Sequence, residues 1–475
     1  MVFSSLNFLY VFLPLFLLVY YLTPSKFRNI PALIGSYIFY AWGAPTFVFV
    51  LLISSFCDYI IGLFFGKTKT IYKRKLLLII ALILNLGLLV VFKYAGFLTT
   101  QFNYILNVSH LTSLPVPSIV LPLGISFFTF QKLSYIIDVY RENVKPSKSF
   151  INYALYVSLF PQLIAGPIVR YHDVDLQLRT RIHSTEHFCN GLFRFIIGLS
   201  KKVLIANYVA VICDQIFAKA EFASTGNAWL ATIAFSIQIY FDFSGYSDMA
   251  IGLGKMMGFD FLENFNRPYV AKNFSEFWKR WHISLCNWMF EYLYIPLGGS
   301  RKGIFRTYFN LWVIFLIAGF WHGASWNYVI WGAFHGCMLF VEKLMGKKRL
   351  MQIPPFISQL GFIYFYLVST VMFNTNSVKD MISFLVKMHT WVPNMHYSRL
   401  YWCELVSNRS FVCLLLGIFI SLYPDRFWLR HKESWSKLPK KNKTSIAFLF
   451  GTVLFLLSIM ALGSNGHNPF IYFQF

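Results

Sequence analysis

The sequence predicts an all-α polytopic membrane protein with about 11–13 transmembrane helices. Three observations carry that prediction. Of 475 residues, 57% are hydrophobic and only 13% are charged, whereas roughly a quarter of a soluble protein is charged. The apolar residues gather into runs, and a spanning helix needs about 20 of them. The cations gather between the runs, as in loops retained on the cytoplasmic side of a membrane. The excess of 42 Lys and Arg over 19 Asp and Glu, +23, therefore reads as topology and excludes a nucleic-acid surface as its reason. The 7 Cys include no C-x-x-C pair, so neither a zinc ribbon nor a disulfide framework is indicated.

In chain order, apolar runs occupy 3–22, 30–43, 46–65, 76–92, 119–137, 190–217, 228–253, 308–321, 324–345, 356–373, 411–423 and 445–462. The first lacks a basic leader and a small-residue cleavage site before Thr23-Pro24-Ser25-Lys26, so it reads as an anchor and not a cleaved signal. With the N-terminus outside, Lys26, Arg28, Lys67 to Lys75, Arg141 to Lys148, 260–306, Lys347 to Arg349 and Arg426 to Lys443 all fall in the cytoplasm. The same threading puts 99–118 and Ser464 to Phe475 outside. It also puts 374–410 there, where Trp391, Pro393, Tyr397, Tyr401 and Trp402 suggest an interfacial cap or a plain folded loop. Pro161 and Pro167 interrupt 151–168, which predicts a re-entrant segment. No linker or repeat divides the chain, so it reads as a single domain, 1–475. Within it lie N-terminal helices (1–140), a core (141–345), and C-terminal helices with the cap (346–475).

Polar residues inside apolar runs are expensive and so mark functional candidates. In Phe241-Asp242-Phe243-Ser244-Gly245-Tyr246-Ser247-Asp248 the two carboxylates are six residues apart, and on a regular helix they face different ways. An acid–base pair is thereby disfavoured. Each instead accepts local hydrogen bonds or pairs with a buried cation, or else positions a substrate or ion. In Asn273 to Trp288, the spacing of Phe274, Phe277, Trp278, Trp281, Leu285 and Trp288 predicts one amphipathic helix at the cytoplasmic interface, with His282 at the edge of its apolar stripe. The Gly298-Gly299 turn beside Arg301 and Lys302 suits a phosphate-bearing donor, and a positive-inside loop explains those cations equally well.

In Trp321-His322-Gly323, an ionisable imidazole lies between two apolar arms, and small neighbours allow close approach. Such a histidine is either the general base of an acyl transfer to a hydroxyl or a buried, hydrogen-bonded structural residue. His322 and His335 are 13 apart, not the four of an H-x-x-x-H pair, so no metal site is expected of them. A serine-hydrolase elbow is absent as well.

Taken in order, Pro122 to Gln131, Phe160 to Ile168, Phe241 to Gly254, Glu263 to Tyr269, Trp278 to Leu285, Tyr294 to Gly299 and Trp321-His322-Gly323 resemble the membrane-bound O-acyltransferase superfamily over nearly the whole chain. The closest likeness is to its bacterial branch of alginate or peptidoglycan O-acetylation, which shares the terminal Pro469 to Phe475. The resemblance implies a ring of transmembrane helices with a central funnel, in a bacterial cytoplasmic membrane. It implies that His322 is catalytic and His282 an important second residue, with Trp321, Asp242, Asp248, Arg280, Asn273 and Arg301 as substrate-binding candidates. The implied donor is acetyl-CoA, held on the face of Lys272, Arg280, Arg301 and Lys302 and not as a bound cofactor. The implied partner is an extracytoplasmic O-acetyltransferase or acyl-acceptor protein, which brings in a polysaccharide indirectly. The rival reading is a polysaccharide or ion-coupled transporter or flippase working through Asp242, Asp248 and the broken segments. It would be marked by matching interruptions in two halves of the chain, which the sequence does not show.

Overall fold

The structure is a computed structural model that describes residues 1–392 and 406–464. All its regular elements are helical, with no strand among the described residues. Six helices there are long and apolar enough to cross a membrane: Phe47–Lys67, Ile71–Val108, Thr185–Ala218, Ile304–His322, Pro355–Asn374 and Lys440–Ser464. A seventh forms if Asn408–Leu422 and Asp425–Lys437, bent by 83°, make one span.

The remaining apolar runs become helices of other kinds. Asn29–Ala41 has 13 residues, about 20 Å at 1.5 Å per residue, short of a hydrocarbon core of about 30 Å. The first run is a π-helical turn, Phe8–Phe12, continued as Leu13–Leu22. The 119–137 run becomes helical only at Ile125, because Gly124 takes a left-handed conformation (φ 73°). Thr225–Met256 is long, at 32 residues, but carries both Asp242 and Asp248.

The chain forms two compact units. The first comprises Met1–Gly191 and Leu253–Leu262. Its core is aromatic. Phe160 packs edge-on against Phe3, Phe8, Phe12 and Phe16 at 5.1–6.3 Å, and Tyr135, Tyr153, Tyr156 and Tyr171 form a second cluster. Lys132 and Asp58 form a buried ion pair at 3.3 Å, with Asn85 donating to the same carboxylate at 2.8 Å. The interruption foreseen around Pro161 is present as a helix break. Phe150–Ser158 ends at Leu159, and a four-residue helix, Phe160–Leu163, follows with Pro161 in its first turn. The polar groups freed there are satisfied internally. Ser36 Oγ accepts from the Phe160 amide at 3.1 Å, and Gln162 Nε2 donates to the Tyr156 carbonyl at 2.5 Å.

The second unit comprises Leu192–Gly252 and Glu263–Phe475. Two glycine-permitted crossings organise it. A Cβ on Gly198 would meet the Gly245 carbonyl and the Met249 amide at 2.5–2.6 Å, so this backbone approach lets the flanking cations reach the Thr225–Met256 helix. A Cβ on Gly332 would strike the Phe315 carbonyl and come within 3.3 Å of Gly319 Cα, and this contact closes a hairpin of Ile304–His322 on Trp326–Gln352. Of the predicted cap, 374–392 and 406–410 are described; they include the helix Val378–His389, and Val392 exchanges hydrogen bonds with Thr225. Pro393, Tyr397, Tyr401, Trp402 and the terminal Pro469 to Phe475 lie outside the described residues.

Candidate active site

The 273–288 stretch is not the single amphipathic helix that its apolar spacing predicts. It is two short helices, Phe274–Phe277 and Ile283–Met289, separated at His282, which is left-handed (φ 45°, ψ 50°). Local polar bonds outweigh the periodicity. Asn273 caps the first helix, its side chain accepting from the Glu276 amide at 2.8 Å. Glu342 holds the same terminus from another helix, accepting from the Phe274 and Ser275 amides at 2.5 and 2.9 Å. The 264–266 segment then laces onto the break. The Asn266 amide donates to the Arg280 carbonyl at 2.8 Å, and the Ile283 amide to the Asn264 carbonyl at 3.0 Å.

Asn264 also fixes the chemistry of His282. Its Oδ1 accepts from the Ser284 amide at 3.2 Å and from Ser284 Oγ at 2.9 Å. A backbone N–H only donates, so the amide oxygen is the atom facing it. His282 Nδ1 lies 3.2 Å from that same oxygen, so it must carry the proton and donate. Nε2 is thereby left with its lone pair free to act as an acceptor or base. Nε2 is buried and has no hydrogen-bond partner among the described residues, in a side chain only 1% exposed.

His322 ends the Ile304–His322 helix, where Gly323 breaks into an extended conformation before Ser325 caps the next helix by accepting from the Asn327 amide. The imidazole is 6% exposed and packs edge-on against Trp331 and Phe373, each at 5.2 Å between ring centres. Trp321 packs against both predicted histidines, 4.9 Å from the His322 ring and 6.3 Å from that of His282. His322, His282 and Trp321 are therefore brought together from stretches 40 residues apart in sequence. Such a site places two imidazoles in an aromatic, water-poor interior, where a proton can be moved without competing hydrolysis.

The other predicted residues lie elsewhere in the hydrogen-bond network. Asp242 is buried against Lys202 at 2.7 Å, and Asp248 binds both Arg194 (2.5 Å) and Lys201 (2.6 Å). The two carboxylates thus face different cations on one continuous helix, as their six-residue spacing requires. Arg280 is engaged by Glu276 and Asp425, each at 2.9 Å. Asn273 serves as the helix cap described above. Arg301 and Lys302 are exposed beyond the Gly298-Gly299 turn, whose backbone Asn310 Nδ2 anchors at the Gly299 carbonyl at 2.9 Å.

Sequence reasoning did not assign roles to Asn264 or His335. His335 is fully buried, its ring 4.6 Å from Trp331 and 5.1 Å from Trp278. It extends the row of alternating His and Trp rings through Trp331 to a third histidine. The signal for it was a helical hairpin bringing 322 and 335 to one side, which the glycines at 319 and 332 encode only in three dimensions.

A helical, membrane-spanning chain with buried histidines arranged around one indole is built like an intramembrane group-transfer enzyme. The chain belongs to the membrane-bound O-acyltransferase family, which residues 36–349 match. Over the full length of both chains it is 44% identical to a protein of Pseudomonas aeruginosa named as a probable alginate O-acetylase, and 38% identical to one of the same name from Azotobacter vinelandii. It is 37% identical to a peptidoglycan O-acetyltransferase of Helicobacter pylori, over 82% of this chain and 80% of that one.

Proposed function

We propose that this protein moves an acetyl group from acetyl-CoA in the cytosol to an extracytoplasmic acceptor, for O-acetylation of an exported or cell-wall polysaccharide of the alginate or peptidoglycan kind. The observation that carries the reading is the packing of both His322 and His282 against Trp321 in a buried aromatic site. The relatives named as O-acetylases and O-acetyltransferases support the acetyl group and the glycan.

In this mechanism a ring nitrogen of His322 takes the proton of an acceptor hydroxyl as its oxygen attacks the thioester carbonyl. The carbon–sulfur bond breaks as the carbon–oxygen bond forms, and the proton passes to the leaving thiolate. His282, with Nδ1 held by Asn264, presents Nε2 as a fixed acceptor nearby. Exposed Arg301 and Lys302 suit the phosphates of a CoA donor better than Arg280, which two carboxylates already engage. An extracytoplasmic transferase or acyl-acceptor protein would take the acetyl group onward to the glycan.

Purified protein in liposomes, given radiolabelled acetyl-CoA on the cytoplasmic face and a glycan acetyltransferase partner on the other, tests the reading. Label appearing on the partner or its glycan is the expected result. Label that stays in acetyl-CoA, with protein that is folded and oriented, would contradict it.

A further inference from the structure

Beside His322 the second unit holds a small, partly open cavity of about 30 Å³. A single buried water needs roughly 10–15 Å³ on the same measure, so this space holds two or three non-hydrogen atoms. An acetyl group has three: a methyl, a carbonyl carbon and a carbonyl oxygen. Its walls include Phe235, Ile239, Trp278, Trp331, Thr370 and Phe373, together with His322 itself. Phe235, Ile239, Trp331, Thr370 and Phe373 are each less than a tenth exposed, and the half-buried Trp278 packs edge-on against Trp331. The hydroxyl of Thr370, the one non-aromatic polar group of the six, is already spent on the Leu367 carbonyl at 2.7 Å.

One wall residue carries an unused donor. Trp278 Nε1 is buried and has no acceptor among the described residues. A buried N–H without a partner costs about 1–3 kcal/mol, and a carbonyl oxygen in the adjoining cavity would satisfy it. The ring is well fixed, packed at 5.1 Å on His335, 5.2 Å on Phe315 and 5.9 Å on Trp331.

We infer that this cavity is the acyl pocket, that Phe235 and Ile239 set its depth so that acetyl fits and longer acyl chains do not, and that Trp278 Nε1–H donates to the acyl carbonyl oxygen. The inference rests on the acyl-transfer reading above and adds to it the chain-length limit and the oxyanion donor. During transfer the carbonyl oxygen gains negative charge as the acceptor oxygen adds. The Trp278 hydrogen bond strengthens at that point and relaxes when the carbon–sulfur bond breaks and the carbonyl re-forms. No atom or proton is consumed by Trp278. His322 alone receives the hydroxyl proton and returns it to the thiolate.

The test compares initial transfer rates from acetyl-, propionyl- and butyryl-CoA by wild type and by Ile239→Ala and Phe235→Leu, each checked for folding by its elution and thermal unfolding in detergent. One extra methylene against a closed apolar wall is worth roughly 10- to 200-fold in selectivity. The wild type is expected to prefer acetyl over butyryl by at least tenfold, and either enlarged variant to narrow that ratio by about tenfold or more. Trp278→Phe keeps an aromatic ring, smaller than the indole, and removes the donor. It is expected to lower kcat by about 10²-fold, the cost of one oxyanion-hole donor, with the KM for acetyl-CoA little changed. A merely structural tryptophan would not produce that split. Folded variants of both Ile239 and Phe235 that transfer acetyl with an unaltered acetyl-to-butyryl ratio would overturn the pocket assignment, and an unaltered kcat in Trp278→Phe would overturn the donor. Absence of transfer from every thioester by the wild type would overturn the acyl-transfer reading itself.

Discussion

His282 holds a left-handed backbone (φ 45°, ψ 50°), a conformation that costs a non-glycine residue about 1–3 kcal/mol and tends to persist at functional sites. Asn264 makes it tolerable by accepting from His282 Nδ1 and from both donors of Ser284. Asn264→Ala would remove the acceptor that His282 Nδ1 and Ser284 share, and a buried donor that loses its acceptor costs about 1–3 kcal/mol. Transfer activity should fall at least tenfold, and the unfolding temperature should drop measurably. Unchanged activity and stability in that variant would show that the imidazole orientation does not depend on Asn264. His322 was legible in the sequence because a lone imidazole between apolar arms is conspicuous. Asn264 was not, because its value lies in a bond across 18 residues that no local spacing encodes.

At the scale of the element, the instructive case is the 273–288 stretch. Its apolar residues do follow a helical period, but Asn273, Glu342 and Asn264 supply bonds that favour a break, and side-chain bonds of this sort regularly compete with helix continuation. The period alone therefore predicts the wrong element while naming the right buried residues: Phe274, Phe277, Trp281, Leu285 and Trp288 are all in the core. The hairpin carrying His322 depends instead on contact between two glycines. A side chain at Gly319 would strike the Tyr328 carbonyl and approach Gly332 Cα at 3.2 Å. Gly319→Val should destabilise the protein by about 1–3 kcal/mol through overpacking and displace Trp331 from His322, with loss of transfer. Gly361→Ala, inside the Pro355–Asn374 helix where nothing lies within 4 Å of the new Cβ, should leave activity unchanged and stability unchanged or raised by up to about 1 kcal/mol. Equal effects of the two substitutions would show that the crossing does not govern the site.

For the whole molecule, composition and loop charge were enough to give an all-helical membrane protein, since both express a global constraint on what can sit in hydrocarbon. The number of crossing helices was less legible. A short buried helix such as Asn29–Ala41 and a crossing one are both apolar, and only length and packing separate them. The carboxylates Asp242 and Asp248 were open to a transporter reading, and their pairing with Lys202, Arg194 and Lys201 shows each charge compensated within its own unit. The orientation is testable directly. In a background without the native cysteines, a cysteine replacing Lys69 should react with an impermeant label only from the cytoplasm, and one replacing His110 only from outside. Both sites reacting from one side would reverse or break the threading of Ile71–Val108.

The central claim is that His322 moves the proton in acyl transfer. Asparagine keeps a neutral hydrogen-bonding group but cannot take up a proton at neutral pH, and general acid–base catalysis is worth roughly 10²- to 10⁴-fold. The most direct measurement is therefore the rate of acetyl transfer from labelled acetyl-CoA by purified His322→Asn beside wild type, with both proteins shown to be inserted and to unfold at similar temperatures. The account predicts a fall of at least 10²-fold in that rate. A variant that keeps more than a small fraction of wild-type transfer would make His322 a structural histidine and contradict the account.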